Sequence, residues 1–173
     1  MFQYVTDMQQ LNKPCKPCRT LHDGLQLGQR LLHVLERSND GVGLAANQIG
    51  IDSRVCVVKV TKPIILINPE IIGKFGKSFF QEGCLSLPGI ALDVERPEKV
   101  VLKYQTMDQE WHEDEFEGLL SRAIQHEMDH LNGIFIVDRV SNIEKIKYKN
   151  ELKKLLADSK YSQKNKNKEN FVL

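Results

Sequence analysis

The chain has 173 residues, of which 41% are hydrophobic and 27% charged, values ordinary for one soluble globular domain. No unbroken apolar run exceeds four residues, as at 64–67, which is far too short for a membrane-spanning helix. The formal net charge is +1; nine lysines and four acidic residues from position 141 onward contribute +5, which leaves −4 for the first 140 residues. A mildly acidic body with a basic C-terminal arm is therefore expected.

The N-terminal segment and the cysteines predict a cytoplasmic setting. No basic region followed by an apolar stretch opens the chain, so no secretory signal is expected. A reducing compartment would leave the cysteines at positions 15, 18, 56 and 84 as thiols. Cys15 and Cys18 form a Cys-x-x-Cys pair, but no second pair completes a zinc knuckle. Pro14 and Pro17 disfavour a redox helix, and a plain loop is the better interpretation.

Helical spacing of leucines predicts a first helix that stops at Asn39-Asp40-Gly41, although two glycines inside it weaken the pattern. Short β-rich runs bounded by turn residues follow at 54–60, 64–68, 77–80, 91–95, 99–104 and 110–115. Helical periodicity returns at 118–132, ending at Gly133, and again at 143–156. These elements predict an α+β fold, with antiparallel or mixed sheets packed around a central helix and one helix at each end.

One domain is expected over residues 1–156. Residues 157–173 are a Lys- and Asn-rich C-terminal tail whose composition predicts disorder. This lysine-rich end is a candidate contact with ribosomal RNA, and a solvated tail without a partner is the alternative.

The sequence His-Glu-Met-Asp-His at 126–130 carries the strongest chemical signal. On a helix, His126 and His130 project in one direction because positions i and i+4 lie about 40° apart around the axis. Two imidazoles so placed suit a divalent ion, and Glu127 would lie beside the ion, where it can take a proton from water. An accidental pair of histidines or a structural zinc is the alternative.

The rest of this helix divides into faces. Leu119 and Ala123 share the histidine face, which predicts a cleft with an apolar wall. The core stripe is expected to contain Leu120, Ile124, Met128 and Leu131, and the solvent-facing arc Ser121, Arg122, Gln125, Asp129 and Asn132.

A catalytic ion usually has three protein ligands, and Cys84 is the best candidate for the third. It is expected on a short loop after the strand that ends at Phe80, where Gly83 would allow a tight turn. His22 and His33 belong to the first helix, and His112 to a strand with charged neighbours. A buried structural cysteine is the alternative for Cys84.

A second loop, Gly41-Val-Gly-Leu-Ala-Ala-Asn-Gln-Ile-Gly, follows the first helix. Its small residues allow another backbone to approach closely, and Gln48 supplies a side-chain donor. The alternative interpretation is a helix cap that runs into a turn and has no functional role. No Gly-Lys-Ser/Thr follows, so it is not a phosphate loop.

Three segments together resemble the signature motifs of peptide deformylases, in the same order. They are Gly41-Val-Gly-Leu-Ala-Ala-Asn-Gln, Glu82-Gly-Cys-Leu-Ser and Gln125-His-Glu-Met-Asp-His-Leu-Asn-Gly. The resemblance covers about residues 11–140. It implies a hydrolase of protein biosynthesis that removes the formyl group from formyl-methionyl nascent polypeptides and releases formate. It also implies one Fe²⁺, with Zn²⁺, Ni²⁺ or Co²⁺ as alternative occupants.

The resemblance also assigns site residues. Cys84, His126 and His130 would be the ligands and Glu127 the general base and acid, while Gln48 and the backbone N–H of Leu85 would hold the oxyanion. The residues that would line the substrate cleft are Val42, Gly43, Phe80, Gly83, Leu119 and Ala123. Ala91 stands where an arginine is common in the family, which bears on the cleft rim.

Two rival functions remain open at this point. One is a zinc endopeptidase that uses the same helix with a downstream carboxylate, for example Glu151, as third ligand. The other is a non-catalytic, ribosome-associated protein with a structural metal. No membrane partner and no sequence-specific nucleic acid are expected.

Overall fold

The structure is a computed structural model that describes residues 11–38, 41–108 and 110–147, without the side chains of residues 88–90, 142, 144 and 147. Its helices are α1 Leu21–Leu35, α2 Gly118–Leu131 and α3 Asn142–Lys147, with 3-10 turns at Ala46–Ile49 and Ile136–Asp138. Its strands are β1 Gly43–Ala45, β2 Val55–Lys59, β3 Pro63–Phe75, β4 Ser78–Cys84, β5 Leu87–Arg96, β6 Lys99–Gln105 and β7 Trp111–Glu117. The predicted α+β class is confirmed.

The strands form two antiparallel sheets. A five-stranded sheet has the order β1-β2-β3-β6-β7, and β4 and β5 form a separate two-stranded ribbon. The long strand β3 pairs with β2 along its first half and mainly with β6 along its second half. The β4–β5 ribbon is therefore inserted between two paired strands of the main sheet, and it carries Cys84 at the end of β4.

The main sheet is covered by helices on both faces. Val55 and Val57 of β2 pack with α1, whereas Cys56 and Val58 pack with α2. Alternate side chains of a strand point to opposite faces, so β2 is apolar along most of its length when both faces are buried. This sandwich makes α2 the central helix and brings its histidine face to the edge of β1.

Two glycines in α1 let the helix approach the sheet closely. A Cβ at Gly24 would lie 2.9 Å from Cγ2 of Ile67, and one at Gly28 would lie 2.3 Å from Cγ2 of Ile65. Glycine lowers helix propensity by about 1 kcal/mol. The N-cap Thr20 stabilises the helix, because its side chain accepts a hydrogen bond from the Asp23 N–H.

Three expectations about local structure were wrong or incomplete. The segment after Gly41 contains strand β1 and a 3-10 turn, not a helix cap running into a turn. Cys84 is the last residue of β4, not part of a loop. Gly83 has no positive φ, so it makes no tight turn; instead, the pairing of β4 with β5 shifts register between Gly83 and Cys84. The predicted helix 143–156 is described only as far as Lys147, and residues 157–173 lie outside the described part.

The solvent-facing arc predicted for α2 was also wrong. Its residues Ser121, Arg122, Gln125 and Asp129 are buried, and Asn132 is half-buried. The β4–β5 ribbon and the segment after α2 supply partners for Arg122 and Asp129, while Gln125 donates to Ser121 and to the Pro97 carbonyl, and Asn132 accepts from Arg54. Their polar groups are therefore hydrogen-bonded instead of solvated. The predicted core stripe is confirmed, since Ile124, Met128 and Leu131 are buried and Leu120 packs against them. Among the described residues no helix is long and apolar enough to cross a membrane.

Candidate metal centre

The thiol of Cys84 and the imidazoles of His126 and His130 converge on one point. A ligand atom from each lies within 4.8 Å of the other two. The Sγ atom of Cys84 is 3.2 Å from Nε2 of His130, and the two histidine ring centroids are 5.0 Å apart. The two imidazoles come from adjacent turns of α2, as their spacing predicts, and β4 brings the thiol to them.

The chemistry of these donors fits a divalent ion. Usual bond lengths around a tetrahedral ion hold a thiolate sulfur and an imidazole nitrogen about 3.5 Å apart. Burial lowers the pKa of His130 well below its ordinary value, so its ring is neutral and able to ligate. Burial also disfavours the charged form of His126, but hydrogen bonds with Cys84 and Glu82 outweigh it and raise the pKa to about 10.

The Glu127 carboxyl lies at the base of the cleft against the backbone of β1. A Cβ added at Gly43 would lie 2.4 Å from Oε1 of Glu127, so glycine is what leaves room for this carboxyl. Its Oε2 is buried and makes no hydrogen bond to the described groups. Burial raises its pKa to about 7, against the attraction of His126 and Arg96. A carboxyl with such a pKa exchanges protons readily near neutral pH.

The amide of Gln48 has a defined orientation. Its Oε1 accepts a hydrogen bond from the Ala45 N–H at 2.8 Å, and its Nε2 donates to Oγ of Ser86 at 3.3 Å. One side-chain amide carries two N–H groups, so a second donor remains for the cleft that Gln48 lines. Next to it, Nδ2 of Asn47 donates to the carbonyl oxygen of His130 at 2.6 Å, which ties this turn to α2.

A buried charged network supports the centre from behind. Glu82 accepts hydrogen bonds from Arg96 and Arg122 and lies 3.1 Å from Nδ1 of His126. Arg96 also donates to Asp129, which in turn pairs with Arg139. Burial raises the pKa of Glu82, but hydrogen bonds from His126 and Arg96 outweigh it and bring the pKa to about 2. The carboxylate is thus ionised at neutral pH.

A cleft of about 590 Å³ opens in front of the cluster. It is lined by all six residues expected to form the substrate site, Val42, Gly43, Phe80, Gly83, Leu119 and Ala123. The cleft is also bordered by Gln48, Cys84, Leu85, His126 and Glu127, whereas His130 is buried and does not line it. Ala91, expected at the cleft rim, lines it as well, and sequence reasoning missed a further set on the walls, namely Gly41, Gln81, Glu82, Leu87 and Arg122.

The other histidines have different partners. His22 bonds with Gln26 and His33 with Arg37, both on the exposed side of α1. His112 pairs with Asp108 at 2.8 Å on strand β7. Cys15 and Cys56 are buried free thiols, in agreement with a plain loop around Cys15.

Comparisons with known proteins agree with this geometry. The family model for polypeptide deformylase matches residues 3–146. A peptide deformylase of Acidobacterium capsulatum is 45% identical over 141 residues, 78% of this chain and 83% of the relative. One of Thermoanaerobacter pseudethanolicus is 44% identical over 138 residues, 75% of this chain and 82% of the relative.

Solved structures are similar in fold. A Plasmodium falciparum peptide deformylase has a TM-score of 0.84 at 30% identity, covering 93% of this chain and 98% of that chain. A Synechococcus elongatus peptide deformylase in complex with actinonin has a TM-score of 0.75 at 42% identity, covering 82% of this chain and 80% of that chain.

The α+β fold, the ligand cluster and the buried carboxyl beside it put this chain among the metal-dependent hydrolases. Its likeness in sequence extends through nearly all the described residues. The chain belongs to the polypeptide deformylase family. It is a hydrolase of protein biosynthesis that removes the formyl group from the N-terminus of nascent polypeptides. Nothing in these comparisons supports the zinc endopeptidase alternative, and Glu151, its expected third ligand, lies outside the described residues.

Proposed function

We propose that Cys84, His126 and His130 hold one divalent ion and that deformylation takes place beside it, at the inner end of the cleft. The convergence of the three ligand atoms within 4.8 Å of one another carries this proposal. A bound divalent ion supplies Lewis-acid chemistry, which makes water nucleophilic near neutral pH and polarises a carbonyl.

Glu127 is the proton carrier in this proposal. Its carboxylate takes a proton from the water that attacks the formyl carbon, and it delivers a proton to the amine nitrogen as the carbon–nitrogen bond breaks. The products are formate and a free methionyl amine. Its raised pKa, its burial and its position next to His126 support this role, because a base must both accept and return a proton near pH 7.

Gln48 and Leu85 are proposed to stabilise the negative oxygen that develops on the formyl group. The remaining N–H of the Gln48 amide is available to the cleft because Ala45 fixes the orientation of that amide. Leu85 follows Cys84 directly and lines the same cleft, so its backbone N–H is the second proposed donor. Donors held in place before the reaction need no reorganisation as charge develops.

The methionine side chain is proposed to occupy the apolar part of the cleft. Val42, Phe80 and Leu119 are exposed apolar residues at its wall, and Gly43, Gly83 and Ala123 leave space between them. The guanidinium of Arg122 lies over the Phe80 ring, 5.6 Å from its centroid, in a cation–π contact. Burial of a methionine side chain would contribute about 1.5–3 kcal/mol to binding.

Fe²⁺ is the proposed native ion, as the family resemblance implies, with Zn²⁺, Ni²⁺ or Co²⁺ as alternatives. Thiolate and imidazole ligands suit several late divalent metals, and availability often decides between them. If the ion is iron, activity is lost in air and is restored when Ni²⁺ or Co²⁺ replaces it. Activity that is stable in air without replacement would contradict iron.

One experiment tests the proposed function directly. The purified chain is analysed for metal and assayed for formate release from a formyl-Met peptide, from its unformylated and acetyl-blocked analogues, and from a peptide with an internal cleavage site. The expected result is one ion per chain and formate from the formyl peptide alone. Cleavage of the internal bond would instead favour an endopeptidase.

A cytoplasmic location and a ribosome contact through residues 157–173 complete the proposal. Lysines in this segment would be attracted to the phosphates of ribosomal RNA. Deletion of residues 157–173 should weaken co-sedimentation with ribosomes and reduce its salt dependence. Unchanged co-sedimentation would contradict the contact.

A further inference from the structure

Glu82 is a buried carboxylate to which the proposed reaction gives no part. Its side chain is 5% exposed and lies between the β4–β5 ribbon and helix α2. Oε1 accepts hydrogen bonds from Nε of Arg96 at 2.7 Å and from Nη1 of Arg122 at 2.6 Å. Oε2 accepts one from Nη2 of Arg96 at 2.9 Å and lies 3.1 Å from Nδ1 of His126. These partners fill the acceptor positions of one carboxylate.

The two arginines decide which way the bond to His126 runs. A carboxylate that receives three guanidinium N–H groups is ionised, so it has only acceptor positions to offer. Nδ1 of His126 must then carry the hydrogen and donate it to Oε2. In the neutral ring, the form that can bind an ion, the lone pair is therefore on Nε2, the nitrogen left for the cluster with Cys84 and His130.

The far side of Arg96 joins this carboxylate to the helix that carries both imidazoles. Nη1 of Arg96 donates to Oδ2 of Asp129 at 2.7 Å, and Asp129 also accepts from Nε of Arg139 at 3.0 Å. Glu82 belongs to the strand that ends with Cys84, and Asp129 belongs to α2. Charged pairs thus connect the element that carries the thiol with the element that carries the imidazoles.

We propose that Glu82 is a positioning residue of the metal centre, which fixes the tautomer and ring orientation of His126, and that Arg96 holds Glu82 in the orientation this needs. The proposal rests on the ion site of the proposed function. Partners of this kind behind a ligating histidine typically change metal affinity by about 10–100-fold.

Glu82→Gln and Asp129→Asn form a matched pair for the test. Each replaces a buried carboxylate of the same network by an amide, but only Glu82 touches His126. The dissociation constant of Co²⁺ is measured on the full chain by competition with a chromogenic chelator. Glu82→Gln should weaken binding about 10–100-fold, and Asp129→Asn, which reaches His126 only through Arg96 and Glu82, should weaken it clearly less. Equal losses, or an unchanged Glu82→Gln, would overturn the positioning role.

A second measurement needs no variant, so it holds even if Glu82→Gln fails to fold. The ¹⁵N shifts of the imidazoles in the Zn²⁺-loaded wild type report which nitrogen binds the ion. For His126 we expect a protonated, hydrogen-bonded Nδ1 and a ligated Nε2; a ligated Nδ1 would overturn the proposal. If the wild type shows the expected ¹⁵N pattern but releases no formate, the positioning role is supported and the proposed function is contradicted. Failure of the positioning role and failure of the proposed function can therefore be told apart.

Discussion

The backbone of Gly43 lies directly against the carboxyl of Glu127, and a Cβ at Gly43 would lie 2.4 Å from Oε1. Gly43→Ala should therefore displace the carboxyl, and a displacement of about 1 Å can lower a rate about 10²-fold. We expect kcat/KM for a formyl-Met peptide to fall by about this factor while the content of bound ion is unchanged.

Gly73→Ala on strand β3 is the control, because the atoms nearest to its Cβ would be side-chain atoms of Phe75 and Val101, at 3.2 Å, and neither residue lines the cleft. It should keep nearly the wild-type kcat/KM. Full activity of Gly43→Ala would contradict the position assigned to Glu127.

Glu127 and Gln48 should differ in how much activity depends on them. General acid–base help is worth about 10²–10⁴-fold, and one oxyanion donor about 10²–10³-fold. We predict that Glu127→Ala loses more kcat than Gln48→Ala and that both variants retain one ion per chain, as measured by metal analysis. If Glu127→Ala lost no more than Gln48→Ala and also released the ion, its assignment as proton carrier would be refuted.

The acid stability of the fold should depend on Glu82. Its folded pKa of about 2 lies below its ordinary value of 4.5. A depressed pKa contributes stability that is present above 4.5 and is lost as pH falls towards 2. The difference corresponds to about 3 kcal/mol of unfolding free energy.

Urea unfolding of the wild type and of Glu82→Gln at pH values between 7 and 2 checks this prediction. The stability gap between the two proteins should narrow as the pH falls below about 4.5. A gap that stays constant down to pH 2 would mean that Glu82 does not titrate as the network requires.

Thiol chemistry should distinguish Cys84 from the buried cysteines. Burial raises the pKa of Cys15 to about 11 and that of Cys56 well above its ordinary value, so both thiols should resist iodoacetamide at pH 7.5. Removal of the ion by a chelator should accelerate alkylation of Cys84 alone among these three, as read by peptide mass spectrometry. If the alkylation rate of Cys84 were the same with and without the ion, Cys84 would not be a ligand of the ion.

The ligand helix is the part of the molecule that the sequence predicts best. His126 and His130 are four residues apart, and a helix brings residues at that spacing together whatever surrounds it. Cys84 could be proposed as third ligand only by its setting and by family resemblance, because it lies 42 positions before His126 and its approach depends on the whole β4–β5 ribbon.

The charged network was not predictable in the same way. Arg122 and Asp129 belong to the polar face of a helical wheel, and their burial depends on Glu82 and Arg96 from distant strands. A polar side chain can be buried when partners satisfy it, and periodicity carries no information about such partners. Strand β1 was not predicted for another reason, since three residues in a glycine-rich run are too few to show a strand pattern.

X-ray absorption at the metal edge tests the central claim most directly, because it counts sulfur ligands around the ion. For the Zn²⁺- or Co²⁺-loaded chain we predict one sulfur at about 2.3 Å together with two imidazole nitrogens at about 2.0–2.1 Å. The sulfur contribution should disappear in Cys84→Ser. A shell of nitrogen and oxygen alone in the wild type would contradict a centre built from Cys84, His126 and His130.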